Sequence, residues 1–188
     1  MSMIEPLSVT ILPIVFMIAL IGGEKLLQSK NIDMGGEPPI GKALFSSSKY
    51  SILLLWVVMI AHSWGINLSF IKTHELLKWV SLYLWVSGFA LLFIGRLGLG
   101  DSFRIGSPKE STNLKVDGLF RFSRNPMYLG MYATLFAPAL YTLNPLLFII
   151  DAYVVIVHHK IVLAEEQYLQ RAFGEQYTEY CLYVRRYI

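Results

Sequence analysis

Five long apolar segments constrain this chain more than any other feature of its sequence. Each is close to the length of about 20 residues that an α-helix needs to cross the hydrocarbon core of a bilayer. Hydrophobic residues make up 55% of the 188 residues, which is more apolar surface than a soluble domain of this length can bury. The sequence therefore predicts an all-α, polytopic helical membrane protein with about five transmembrane helices. The predicted spans are Leu7 to Gly23, Tyr50 to Ile71, Leu76 to Gly95, Pro126 to Leu143, and Pro145 to Val157 with its continuation to Ala164.

The last two predicted spans are joined only by Asn144-Pro145, so they should form a tight helical hairpin. From Ala164 onward the apolar residues continue at helical spacing. Gly174 interrupts this pattern, which predicts that one helix ends there and that a second begins directly afterwards. We therefore expect cytoplasmic helices after the C-terminal hairpin.

The positions of the cations predict the orientation of the spans. If the N-terminus is outside and the C-terminus is cytoplasmic, 14 of the 16 Lys and Arg residues lie on the cytoplasmic side of the membrane. Lys109 is one of these fourteen. The exceptions are Lys72 and Lys78, in the predicted second loop. We expect the membrane to be a prokaryotic plasma membrane.

Composition also excludes several kinds of partner and site. The net charge is only +3 and the cations form short clusters, so nucleic acid is a poor candidate partner. The single cysteine, Cys181, excludes an internal disulfide and a CxxC motif. His158 and His159 lack a carboxylate three or four residues away, the usual pairing of a helical metal site, so we predict interfacial histidines and no metal.

The segment GLFRFSRNPMYLG leads into the fourth predicted span. Asn125 is a good N-cap residue, and Pro126 at the first helical turn costs no hydrogen bond. Capping alone does not explain why Arg121, Arg124 and Tyr128 lie beside the same helix N-terminus. Together with the exposed helix N–H groups, these side chains predict a site for an anionic group.

Three further places are candidates for function. Glu165 and Glu166 form a carboxylate pair that is either a solvated helix face or a site for a cationic amine or a proton. Asp151 lies within a predicted span, where a carboxylate is a functional candidate or a hydrogen-bond partner for Tyr or Ser on a neighbouring helix. Gly98 and Gly100 either end the third span or allow a ligand to approach the backbone.

Three segments of the chain, in order, resemble the signature of a superfamily of membrane methyltransferases. The segments are RLGLGDSFRIG, GLFRFSRNPMYLG and EEQYLQRAFGEQYTEYCLYVRR. In the superfamily that includes isoprenylcysteine carboxyl methyltransferase and phospholipid N-methyltransferases, the signature is a glycine-containing segment after a span, an R-(H/N)-P-x-Y-x-G turn that opens a helical hairpin, and a Glu-Glu pair before F-G-x-x-Y-x-x-Y. The resemblance extends from about Arg96 to Arg186, nearly half of the chain.

The resemblance implies S-adenosylmethionine as the cofactor, held at the cytoplasmic ends of the C-terminal helices. It implies that donors at the start of the fourth span hold the cofactor's carboxylate. The glutamate pair would face its amino group or ribose hydroxyls, and the glycines would permit close backbone approach. The implied cofactor-binding residues are Gly98, Gly100, Arg124, Asn125, Pro126, Tyr128, Glu165 and Glu166.

The resemblance also implies a lipophilic acceptor that enters from the bilayer, with a prenylcysteine-type carboxylate as the first expectation and a phospholipid, small amine or thiol as the alternative. Methyl transfer from a sulfonium is an in-line displacement that needs positioning more than acid–base help. Arg185 or Arg186, with Arg104, would orient a carboxylate acceptor. An amine or thiol acceptor would instead need a base, for which Glu166 is the candidate.

Two other hypotheses remain open at this point. Membrane sterol reductases, which use a nicotinamide cofactor, also resemble the C-terminal region, although they are usually much larger. A non-catalytic membrane protein would tolerate substitution of Tyr128, Glu165 and Glu166. On the methyltransferase hypothesis the chain is one domain, 1–188, with N-terminal spans in 1–95 and the cofactor-binding catalytic region in 96–188.

Overall fold

The computed structural model describes residues 3–35, 38–105 and 113–188 of the chain. Within these ranges the regular secondary structure is helical, which confirms the predicted all-α class. Lys109, one of the cations behind the predicted orientation, lies outside the described residues. The helices are α1 (Ile4–Ser29), α2 (Lys42–Ser63), α3 (Glu75–Leu99), α4 (Pro126–Thr142), α5 (Pro145–Phe173) and α6 (Glu175–Tyr183), with single 3-10 turns at Gly100–Ser102 and Gly118–Arg121.

Four of the described helices are long and apolar enough to cross a membrane. They are α1, α2, α3 with its continuation to Ser102, and α5. The fourth predicted span forms α4, but this helix has only 17 residues, so the predicted count of five spans is not confirmed. The four long apolar helices support an integral membrane protein.

The second predicted span, Tyr50 to Ile71, is wrong at its C-terminal end. The helix runs from Lys42 to Ser63. Gly65, with a φ of 95°, turns the chain just after this helix. The next residues are held against the start of the hairpin turn, where the Phe70 N–H donates to the Thr142 carbonyl at 3.2 Å. The apolar residues at the end of the predicted span therefore belong to a loop.

The predicted hairpin of α4 and α5 is confirmed, and so is the break at Gly174. The Asn144 side chain caps α5 by accepting a hydrogen bond from the Leu146 N–H at 3.0 Å. The helix continues without interruption to Phe173, and Gly174 ends it with a φ of 53°. At a rise of 1.5 Å per residue, a helix of this length extends about 44 Å, which is longer than the hydrocarbon core. Helix α5 is therefore long enough to extend beyond the apolar layer as one continuous helix, and Glu165 and Glu166 lie near its C-terminal end.

Glycines bring α3 and α4 into unusually close contact. A Cβ atom built on Gly88 would lie 2.7 Å from the Gly130 carbonyl oxygen, and a Cβ on Gly130 would lie 2.7 Å from the Gly88 carbonyl oxygen. Gly95, further along α3, lies against the Met127 side chain. Small residues allow helix backbones to approach in this way. The contact places the start of α4 beside the end of α3.

An aromatic cluster joins the two N-terminal helices to α3 and α4. Its rings belong to Phe16, Trp56, Trp85 and Phe89, and they meet mostly edge to face. The Trp56 indole N–H donates to Thr134 Oγ1 at 3.1 Å. A buried indole N–H needs such a partner. Helices α1 and α2 are therefore packed onto α3 and α4 in a defined register.

Asp151 is fully buried on α5, beside the apolar residues Leu147 and Val154. Neither carboxyl oxygen has a hydrogen-bond partner among the described residues, so the Tyr or Ser partner considered from the sequence is not observed there.

We expect Asp151→Val to raise the free energy of unfolding by about 1–3 kcal/mol, because it removes a buried polar group that lacks a partner. Thermal unfolding in one detergent, with Asp151→Asn as the control that keeps the polarity, measures this effect. Destabilisation by both substitutions would contradict the expectation, because it would reveal a hydrogen-bond network that depends on the carboxyl group.

Candidate active site

A cavity of about 480 Å³ opens between the ends of the helices that carry the predicted site. One part of its wall is polar and comes from the start of α4, the end of α5 and α6. The other part comes from α1 and α2 and is mainly apolar: it contains Phe16, Leu20, Ile52 and Trp56, together with the charged residues Glu24 and Lys49. The polar lining includes Arg124, Asn125, Tyr128, Glu165, Glu166, Tyr177 and Tyr180.

The start of α4 faces this cavity without a side-chain cap. Pro126 occupies the first turn as predicted, but the Asn125 side chain makes no capping bond. It donates instead to the Arg186 carbonyl oxygen at 3.2 Å. The prediction that the Asn125 side chain caps the helix is therefore wrong, because the backbone of a distant segment binds this amide. The uncapped N–H groups favour a negative charge at this end of α4.

Glu166 is bound by two arginines. Arg124 Nη2 lies 3.0 Å from Glu166 Oε1, and Arg186 Nη2 lies 2.8 Å from Glu166 Oε2. The side chains of Arg124 and Glu166 are only 12% and 13% exposed, so this pairing is largely shielded from water. The hydrogen bonds from Arg186 to Glu166 raise the pKa of the arginine. The group carries one net positive charge, which faces the cavity through Arg124.

Glu165 has a different environment from Glu166, although the two residues are adjacent in the sequence. The Tyr128 hydroxyl donates to Glu165 Oε1 at 2.9 Å. Among the described residues, no Lys or Arg forms an ion pair with Glu165. Glu165 is therefore a carboxyl group at the polar end of the cavity that has no ion-pair partner among the described residues.

Residues 184–187 form a strap that supports the polar wall from outside the cavity. The Arg124 N–H donates to the Arg185 carbonyl at 2.9 Å, and Arg124 Nη1 donates to the Val184 carbonyl at 2.8 Å. Tyr187 is hydrogen-bonded to His159 Nδ1 at 2.9 Å. Most of these bonds use backbone carbonyl groups. Because every residue has one, the sequence does not show which carbonyls bind Arg124, and these contacts were not predicted.

Tyr177 and Tyr180 of α6 close one side of the cavity. The Tyr180 hydroxyl donates to the Phe120 carbonyl at 2.6 Å, and burial raises the pKa of Tyr180 to about 12. The Tyr177 hydroxyl is buried and has no nitrogen or oxygen partner within the described residues. Neither tyrosine was assigned to the site from the sequence. The nearby Cys181 thiol is at most a weak partner, and a hydroxyl without a nitrogen or oxygen partner in a cavity wall is a place where a ligand can bind.

Several predicted site residues lie away from this cavity. Gly98 and Gly100 are exposed at the end of α3, and neither belongs to the cavity wall. The Arg185 side chain is exposed, and so is that of Arg121. Arg104 does line the cavity, and its guanidinium donates to the Asp101 and Phe103 carbonyls. The structure thus brings together the start of α4, the glutamate pair and Arg104, but not the glycines.

One known family matches the part of the chain that carries most of the polar wall. A family model described as "Phospholipid methyltransferase" matches residues 75–176, just over half of the chain. The matched segment includes α3, α4 and α5, with Tyr128 and both glutamates. No curated protein matches the chain.

Proposed function

The chain belongs to the phospholipid methyltransferase family, a family of integral membrane methyltransferases, and on this premise we propose that it methylates the amine of a lipid with S-adenosylmethionine as the donor. Family membership favours a methyltransferase over the nicotinamide-dependent reductase and the non-catalytic protein considered from the sequence. The coarse activity follows from the family, whereas the cofactor site, the acceptor and the membrane sidedness are our proposals.

One observation carries the proposal of the cofactor. One cavity contains both the positive end of α4 with Arg124 and the carboxyl group of Glu165, which has no ion-pair partner among the described residues. S-adenosylmethionine has a carboxylate at one end of its amino-acid part and an ammonium group beside it. The start of α4 and Arg124 suit the carboxylate, while Glu165 suits the ammonium group. The Tyr177 hydroxyl remains for a polar atom elsewhere on the cofactor.

The residues of this chain would promote methyl transfer mainly by positioning. Bound S-adenosylmethionine supplies an activated methyl group on its sulfonium. Tyr128 holds the Glu165 carboxylate in place, and the two arginines hold Glu166. Fixed charges in a cavity shielded from water orient a charged ligand without reorganisation during the reaction.

The acceptor is proposed from the remaining part of the cavity wall. Its apolar lining from α1 and α2 suits the chain of a lipid that enters from the bilayer. Arg186 is bound to Glu166 and the Arg185 side chain is exposed, so neither is positioned to orient an acceptor carboxylate. We therefore place the amine of a phospholipid first. Arg104 in the cavity wall favours a prenylcysteine-type carboxylate as the second candidate.

The role of Glu166 also changes in this proposal. Both of its oxygens bind arginines, so we assign it to holding Arg124 and not to accepting a proton. The cavity draws on α1, α2 and the C-terminal helices together, which supports one functional domain over 1–188. The excess of Lys and Arg at this end of the helices supports a cytoplasmic site.

Titration of S-adenosylmethionine into the detergent-purified protein tests the cofactor. We expect the wild type to bind it and Tyr128→Phe to weaken binding by about tenfold, because the hydrogen bond that orients the Glu165 carboxyl group is lost. Tyr183→Phe is the matched control, since that side chain is 81% exposed. Absence of binding to folded wild-type protein would refute the proposed function.

A further inference from the structure

His158 lies in the cavity wall with its tautomer fixed by the helix. Its Nδ1 donates to the Val154 carbonyl oxygen at 3.0 Å, so the proton of the neutral ring is on Nδ1. The other nitrogen, Nε2, then carries a lone pair. Within the described part of the chain, no residue forms a hydrogen bond with Nε2. The side chain is only 8% exposed and it lines the cavity. His158 is thus a nearly buried base with a free acceptor position.

The location of His158 matches the boundary between the two parts of the cavity. It lies seven residues before Glu165, which is about 10 Å along the same face of α5. The ring centroids of His158 and Tyr128 are 6.1 Å apart. The next turn of α5 contributes Ile161 to the cavity lining. His158 therefore lies where the polar wall around Glu165 gives way to apolar residues.

The reaction proposed above needs a proton acceptor at this boundary. An alkylamine resembles the lysine side chain, whose pKa is about 10, so a lipid amine enters as an ammonium ion without a lone pair for attack. Glu166 is bound by two arginines, and Glu165 accepts a hydrogen bond from Tyr128 at the polar end. We propose that His158 Nε2 accepts the proton of the lipid ammonium group. This inference rests on the proposed function and adds a catalytic residue to it.

The step balances in atoms and charge. The ammonium N–H bond breaks and its proton moves to His158 Nε2, which leaves a neutral amine and an imidazolium. The amine lone pair forms the new N–C bond as the C–S bond of the sulfonium breaks, and the bonding electrons remain on sulfur as a neutral thioether. The methylated product is an ammonium ion, and the imidazolium returns its proton to water. No oxidant, reductant or further reactant is required.

Chemical rescue of His158→Ala tests the proposal. The assay uses full-length protein in vesicles that contain phosphatidylethanolamine, with S-adenosylmethionine labelled on its methyl group. We expect His158→Ala to lower the rate about 100-fold or more while the affinity for S-adenosylmethionine stays within a few-fold of the wild type. Added imidazole should restore part of the rate, because it can occupy the space and accept the proton. Ile161→Ala, which also enlarges the cavity, is the matched control and should gain nothing from imidazole.

The other outcomes overturn the inference in distinguishable ways. A wild-type rate in His158→Ala would exclude a needed base at this position. A rate loss that imidazole does not restore would show that the ring acts through packing. If the wild type methylates a prenylcysteine analogue and not phosphatidylethanolamine, the acceptor is a carboxylate that needs no base. The role of His158 would then be refuted, while the methyltransferase activity would stand. Failure of the folded wild type to bind S-adenosylmethionine would instead refute the proposed function, and the role of His158 with it.

Discussion

Glu166→Ala is expected to abolish detectable S-adenosylmethionine binding and to lower the free energy of unfolding by about 3–5 kcal/mol, the usual cost of removing one partner of a buried ion pair. Glu166 is 13% exposed and holds Arg124 and Arg186 together. Without it, Arg124 would remain largely buried with an unpaired charge, and two cations would repel each other at the cavity wall. Cofactor titration and thermal unfolding in the same detergent measure the two effects.

The control for this substitution is Glu179→Ala, because Glu179 is exposed on α6. We expect that variant to bind cofactor and unfold as the wild type does. Unfolding of Glu166→Ala at the wild-type temperature would contradict the structural role assigned to the pairing. Wild-type cofactor affinity in that variant would instead contradict the proposed organisation of the site.

Gly130→Val should prevent the accumulation of folded protein. Even the Cβ atom of the new side chain would lie 2.7 Å from the Gly88 carbonyl oxygen and 2.8 Å from Leu91 Cβ. The obstacle is partly backbone and cannot rotate away, so α3 and α4 would have to separate. Overpacking of this kind typically costs about 1–3 kcal/mol or more, and here it also displaces the start of α4 from the site. Yield and monodispersity after detergent extraction are the measurements.

Gly22→Ala provides the matched comparison, since a Cβ atom on Gly22 meets nothing within 4 Å. Alanine is favoured over glycine in a helix interior by up to about 1 kcal/mol, so this variant should be at least as stable as the wild type. Normal folding of Gly130→Val would show that α3 and α4 do not depend on the close approach seen here.

Hydropathy and local motifs were sufficient for the class of the fold but not for its boundaries. The runs of apolar residues predicted helices, and Gly174 and Asn144-Pro145 correctly marked breaks. The end of α2 was misplaced because Phe70 and Ile71 are apolar residues of a loop, and a hydropathy window does not distinguish these from a span. The contact of Gly88 with Gly130 is also absent from the local pattern, since it depends on how two distant helices pack.

The candidate site was predictable in its polar part and not in its apolar part. The start of α4 and the glutamate pair each have a local signal, and the structure brings Tyr128 into contact with Glu165 and Arg124 into contact with Glu166. Phe16 and Trp56 line the same cavity from α1 and α2, about 70 or more residues before the start of α4 in the sequence. Apolar residues in a predicted span give no indication of which ones face a cavity. His158 was visible as a histidine near Glu165, but only as a rejected metal ligand.

The strap at residues 184–187 has a consequence for the timing of biosynthesis. Arg124 is bonded to Val184, which lies 60 residues later in the chain, and Glu166 is bonded to Arg186, 20 residues later. Because α4 and Glu166 precede these residues in the chain, Arg124 lacks its carbonyl partners and Glu166 lacks one of its arginines until the strap has been synthesised and has docked. The polar wall of the cavity is therefore complete only after the strap has docked, however early the four long apolar helices enter the bilayer.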